Sequence, residues 1–180
     1  MPILLRLADL AERHPGVTKA LGDSYAEAAS VCLSRHHESP VEVDAEYRSE
    51  ESECILPWDT PSATVLRAHA NDIDATEQGA YAVSFAAVEA LAGLVATRRA
   101  ETLTGADYYV APLGADIDDL EACLRMEVSG VDAGDESTVR TRLRQKLRQT
   151  EKGRSNLPAL AAVVGFRERL IAIAQLGDAQ

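Results

Sequence analysis

The chain has 180 residues, 46% hydrophobic and 26% charged, a globular composition sufficient for one domain with a substantial core. A net charge of −11 argues against general, sequence-independent binding to nucleic-acid backbone, which favours basic chains. No apolar run approaches the ~18 residues that a membrane span needs, and the first ten residues carry Arg6 and Asp9 without a signal-peptide pattern, so a cytoplasmic protein with no membrane partner is expected.

Residues 4–13 and 17–35 are predicted helices. The second places Val17, Leu21, Tyr25, Ala28, Ala29, Cys32 and Leu33 on a helical period. Val41, Val43, Ala45 and Tyr47 alternate with Glu42, Asp44 and Glu46, and Cys54, Leu56 and Trp58 alternate likewise, which predicts an antiparallel hairpin with one wet face. Pro57 assigns its second strand to an edge. A short helix over 61–70 and a long one over 74–100 follow. Asp74 and Glu77 are read as the cap of the long helix, and Thr97, Arg98 and Arg99 as its cationic end. Strands over 105–111 and 122–129 flank an acidic linker. A basic helix over 136–149 and strands over 157–166 and 170–176 complete the fold, and the tail over 177–180 is expected to fray. The expected fold is α/β (α+β), a single domain over 1–180. A mixed central sheet is flanked by helices in an αββαββ core over 74–176, and residues 1–60 add a helical segment and the hairpin.

Two strand carboxylates stand out. Asp107 follows the small-residue turn Gly105-Ala106, and Glu127 lies inside an apolar run. A carboxylate in a strand loses hydration and is tolerated best when paired or holding a cation. On neighbouring strands the two could hold a hard divalent metal. On the basic helix Val139, Leu143 and Leu147 form an inward stripe, which Lys146 flanks closely enough to snorkel toward the sheet. Arg140, Arg144 and Arg148 form a separate ridge suited to phosphates.

Simpler roles compete with these. Asp107 suits a turn cap, Glu127 an ion pair with Arg125 or a helix arginine, Glu77 a helix cap, and the basic helix a solvated face. His36-His37 suits a helix end, with no metal-ligand spacing around it. Ser129 lacks the motif of a nucleophilic serine. Cys32, Cys54 and Cys123 are far apart and form no CxxC pair, which predicts buried free thiols.

A helix bearing Glu77, a strand opened by Gly105-Ala106-Asp107, a next strand bearing Glu127, and then a helix rich in Gln, Lys and Arg together resemble the PD-(D/E)XK nuclease superfamily, which has the restriction-endonuclease-like fold. The resemblance covers roughly residues 74–176. It implies that Asp107 and Glu127 bind magnesium or manganese, that Glu77 adds a helical ligand, and that a lysine assists water activation. The expected lysine position holds Ser129, and the resemblance moves its role to Lys146. The segments Gly105 to Tyr109, Glu127 to Gly130 and Arg144 to Leu147 also resemble those of a widespread group of bacterial proteins without an assigned activity.

The reading is a Mg2+-dependent nuclease-like protein acting on DNA or RNA, with Asp107, Glu127 and Lys146 as catalytic residues. The acidic charge calls for a protein partner or a second subunit to supply much of the substrate binding. The alternative is a catalytically inactive accessory component on the same fold, supported by Ser129, with homodimerisation through an edge strand.

Overall fold

The computed structural model describes residues 1–177. In chain order the elements are β1 (Ile3–Leu4), α1 (Leu10–Arg13), α2 (Lys19–Ser34), β2 (Val41–Tyr47), β3 (Glu50–Leu56), α3 (Ala63–Ala68), α4 (Asp72–Ala92), β4 (Leu94–Arg99), β5 (Tyr108–Pro112), β6 (Leu124–Val131), α5 (Glu136–Glu151), β7 (Ala159–Gly165) and β8 (Leu170–Gln175). All eight strands join one mixed sheet in the order β1-β3-β2-β8-β7-β6-β5-β4. The chain is therefore α/β with a mixed sheet between helices. No helix among the described residues is long and apolar enough to cross a membrane.

Alternation along the strands divides the core. On β6, Met126 and Val128 join Val83 and Phe85 of α4 in the main cluster, which extends to Tyr25 and Cys32 of α2. Val131 and Val163 meet Val139 and Leu143 of α5 on the opposite face of the sheet. Arg125, Glu127 and Ser129 share the α5 face by the same parity. Strand β7 is buried along its whole length, as its continuous apolar run requires. Asp135 caps α5 by accepting from Thr138 N at 2.9 Å. The three cysteines are buried free thiols.

Three sequence expectations are corrected. The long helix stops at Ala92, not at residue 100. Gly93 adopts the left-handed conformation (φ 63°) and its N–H bonds back to Glu89 O, a C-terminal stop that the surrounding Ala and Leu obscured. Leu94–Arg99 is instead a strand, so Arg98 and Arg99 sit in the sheet, and the second half reads αβββαββ rather than αββαββ. The N-cap of α4 is Asn71, whose side chain accepts from Ile73 N and Asp74 N, not Asp74. Of residues 4–13 only Leu10–Arg13 are helical. Ile3 and Leu4 pair parallel with Cys54 and Ile55, and Leu5 and Leu7 are both buried, a period of two rather than 3.6. The expected fraying of the tail falls, for residues 178–180, outside the described residues.

Strand β4 ends the sheet, and the 14–16 loop covers it. Gly16 N donates to Ala96 O at 2.9 Å, and Ala96 N donates to His14 Nδ1 at 3.0 Å. An imidazole accepting at Nδ1 is neutral, and burial pushes the His14 pKa down from 6.5 to about 4. Between those values the unfolded chain binds more protons than the native one, so stability falls as pH drops from 6.5 toward 4. The full loss is about 3 kcal/mol. Urea titrations of wild type and His14→Gln across this range should show the slope in the wild type and a flatter one in the variant.

Candidate functional site

The pairing of β5 with β6 sets the site. Tyr108 stands opposite Met126 and Tyr109 opposite Arg125. Immediately before β5, Asp107 leaves this register and comes close enough to Glu127 for the two carboxylates to interact. Asp107 N donates to Met126 O at 2.8 Å, and Asp107 Oδ2 accepts from Val128 N at 2.9 Å. The side chain of Asp107 thus closes the β5–β6 ladder, while β6 continues alongside β7 as far as Val131. Asp107 immediately precedes its strand, and its carboxylate bonds across to the neighbouring strand instead of capping a local turn.

Like charges brought close together cost stability. Glu127 is also nearly inaccessible, its side chain 5% exposed. Burial first, and the charge of Asp107 second, push its pKa up to about 6. Lys146 opposes this, and each carboxylate has a cation near it. Lys146 Nζ lies 2.6 Å from Glu127 Oε1, and Arg99 Nη2 lies 3.8 Å from Asp107 Oδ1. Glu127 therefore pairs with Lys146 and not with Arg125.

Arg125 has a different task. It is buried, and its guanidinium donates to three backbone carbonyls: Thr104 (2.7 Å), Thr150 (2.9 Å) and Leu157 (3.0 Å). These belong to the loop that delivers Asp107, to the last turn of the helix that delivers Lys146, and to the segment entering β7. Glycines permit the approach. A Cβ on Gly105, whose φ is +69°, would stand 2.8 Å from Gln149 O, and one on Gly153 would collide with the Thr104 carbonyl.

Two grooves meet at Glu77, an exposed residue on their shared rim. One, of about 490 Å³, is lined by Thr76, Glu77, Ser129, Arg142 and Lys146 among others. Arg142 Nη1 donates to Ser129 Oγ at 3.3 Å there. The other, of about 460 Å³, is lined by Ser24, Tyr25, Glu77, Gln78, Tyr81 and Arg99 among others.

The structure thus gathers Asp107, Glu127 and Lys146. Among the described residues no group of three or more His, Cys, Asp or Glu side chains is arranged to hold a metal ion, and Glu77 stands at the groove rim. Of the arginine ridge, Arg144 and Arg148 are exposed, whereas Arg140 is ion-paired with Glu46 at 2.6 Å and Glu136 at 2.7 Å. His36 Nε2 faces Asp132 at 3.1 Å and His37 Nε2 faces Phe166 O at 2.9 Å, both as structural contacts. Sequence reasoning missed Arg142 and Arg99. Arg142 lies four residues before Lys146, which places both on one helix face. Arg99 was concealed by the helix assigned over β4. Comparison with protein families, curated proteins and solved structures finds no match to this chain.

Replacing Arg125 with Met should destabilise the fold by about 2–4 kcal/mol, since it strands buried carbonyls, and denaturant unfolding measures the loss. Glu127→Gln should act in the opposite direction in metal-free buffer. The raised native pKa means that ionised Glu127 opposes folding. The variant's gain is then absent below pH 4.5 and fully present above pH 6. Its size at pH 8 is about 1 kcal/mol, allowing for the lost Lys146 contact. A melting temperature equal to or below that of the wild type at pH 8 would contradict this.

Proposed function

We propose that the chain is a nuclease-like protein of the PD-(D/E)XK type that hydrolyses nucleic-acid phosphodiesters with Mg2+ or Mn2+. The observation that carries the reading is the approach of Asp107 to the buried Glu127 at the end of the β5–β6 pair, with Lys146 Nζ 2.6 Å from Glu127. A fold gains nothing in stability from bringing two carboxylates together, and such departures from folding rules concentrate at functional sites. The residues fit the ion. Mg2+ takes oxygen ligands and is commonly held by one or two carboxylates together with water and substrate phosphate. Asp107 and Glu127 would supply those oxygens. The chemistry such an ion supplies is a lowered water pKa and screening of phosphate charge.

The chain's own groups contribute the rest. Lys146 keeps Glu127 ionised despite its burial, and its Nζ is a donor for charge developing on the phosphate oxygens. Arg142, in the same groove, offers a fork for a phosphate. With Ser129 in the expected lysine position, the positive charge comes from helix α5 instead. Asp72, Glu77 and Asp132 line the same groove, so a substrate phosphate there would depend on the metal ion as well as on these two cations.

A second reading, a catalytically inactive accessory component, draws on Ser129 and on the commitment of Glu127 to an ion pair. Dimerisation through an edge strand finds less support. The 14–16 loop covers β4, and β3 beyond its pairing with β1 carries Glu50, Glu51 and Glu53, which would repel one another in a self-pairing.

A panel of labelled single- and double-stranded DNA and RNA tests the proposal. Cleavage should require Mg2+ or Mn2+ and disappear in Asp107→Ala. In Lys146→Met kcat should fall by about 10²-fold or more. No cleavage under any condition, with no heat of metal binding by calorimetry, favours the accessory reading.

A further inference from the structure

Arg99 is the last residue of β4, and a bulge places it. Ala96 pairs with Val110, but Arg98 pairs with Tyr109 and Arg99 with Tyr108, so Thr97 is the extra residue. Without it Arg98 would stand opposite Tyr108. The bulge turns Arg99 onto the α4 face, where its guanidinium lies over two rings, 5.0 Å from the centroid of Tyr81 and 4.9 Å from that of Tyr108. Arg99 Nη2 also donates to Tyr81 OH at 3.3 Å.

Those rings are themselves fixed. Tyr81 and Tyr108 are buried, and the Tyr108 hydroxyl is 3.0 Å from that of Tyr25. A long flexible side chain is thus held in one orientation while its own exposure remains 54%. The pairing with Asp107 does not explain this clamp, because 3.8 Å is too long for a hydrogen bond. What the clamp achieves is to present a planar set of N–H donors, already ordered, to the groove that also holds Ser24 and Gln78. Glu77 and Asp74 line that groove too, and among the described residues Arg99 is its only positively charged lining residue.

We propose that Arg99 binds a phosphate of the substrate strand on the side of the carboxylate pair away from Arg142 and Lys146. This rests on the nuclease reading and extends it. One strand crosses the Glu77 rim, with its backbone gripped by cations in both grooves. The bulge at Thr97 and the paired tyrosines exist in this account to orient that grip.

The test measures binding of a fluorescein-labelled single-stranded oligonucleotide by anisotropy across a salt series, in a Glu127→Gln background that prevents turnover. Arg99→Gln should weaken binding about tenfold and reduce the slope of log affinity against log salt by about 0.7–1, one phosphate contact. Arg99→Lys should keep most of the slope, and the control Arg67→Gln on α3 should change neither quantity. In the protein with Glu127 intact, Arg99→Gln should raise KM and leave kcat within about threefold, the pattern of lost ground-state binding. An unchanged slope with a collapse of kcat would overturn the proposal, because Arg99 would then act only by holding Asp107. If the parent binds and cleaves while Arg99→Gln matches it throughout, this inference fails and the nuclease reading stands. A parent that neither binds nor cleaves removes both.

Discussion

The guanidinium of Arg125 ties together three stretches of backbone that also meet through the Arg154 N–Leu103 O and Arg125 N–Pro158 O hydrogen bonds. Its N–H groups reach the carbonyls of Thr104, Thr150 and Leu157 from a buried position on β6. Asp107 lies three residues beyond the first of these, and Lys146 one helical turn before the second. Glu127, two residues along β6, shares the face of Arg125. The geometry of the candidate site therefore follows from one buried cation and a sheet parity. A charge so deeply buried is tolerated when it is hydrogen-bonded, and carbonyls bonded to a charged donor compensate better than neutral pairs.

Against that rigid frame the carboxylates are electrostatically uneasy. Glu127 is buried beside a second acid, and the 2.6 Å contact with Lys146 only partly offsets this, as its raised pKa records. A buried ion pair is weak support for a fold, because desolvation consumes most of what attraction returns. Under the proposed function, a metal ion would supply the additional positive charge that these two carboxylates lack. The same logic distinguishes the arginines. Arg140 is already balanced by Glu46 and Glu136, whereas Arg99 is clamped by aromatic rings and leaves its donors facing a groove.

Much of this was legible in the sequence where a period or a turn signal was clean. The hairpin of β2 and β3 followed from strict alternation, α5 from its apolar stripe, and Asp107 and Glu127 from being acids in or beside apolar runs of adjacent strands. Failures came where local signals were masked. Gly93 stops α4, yet it sits in an Ala- and Leu-rich stretch that continues the helical pattern. Reading through it erased β4, and with β4 went Arg99 and its bulge. The short strand β1 was lost because two paired residues leave almost no pattern. Arg125 looked like a partner for Glu127 because sequence gives parity but not depth. Only the fold reveals that its donors are taken up by carbonyls.

The most direct measurement is a crystal soaked in Mn2+, with data collected at a wavelength where manganese scatters anomalously. The account predicts a peak between the carboxylates of Asp107 and Glu127, with Lys146 Nζ displaced from its position against Glu127. A map with no peak there at millimolar Mn2+, and Lys146 still on Glu127, would contradict it.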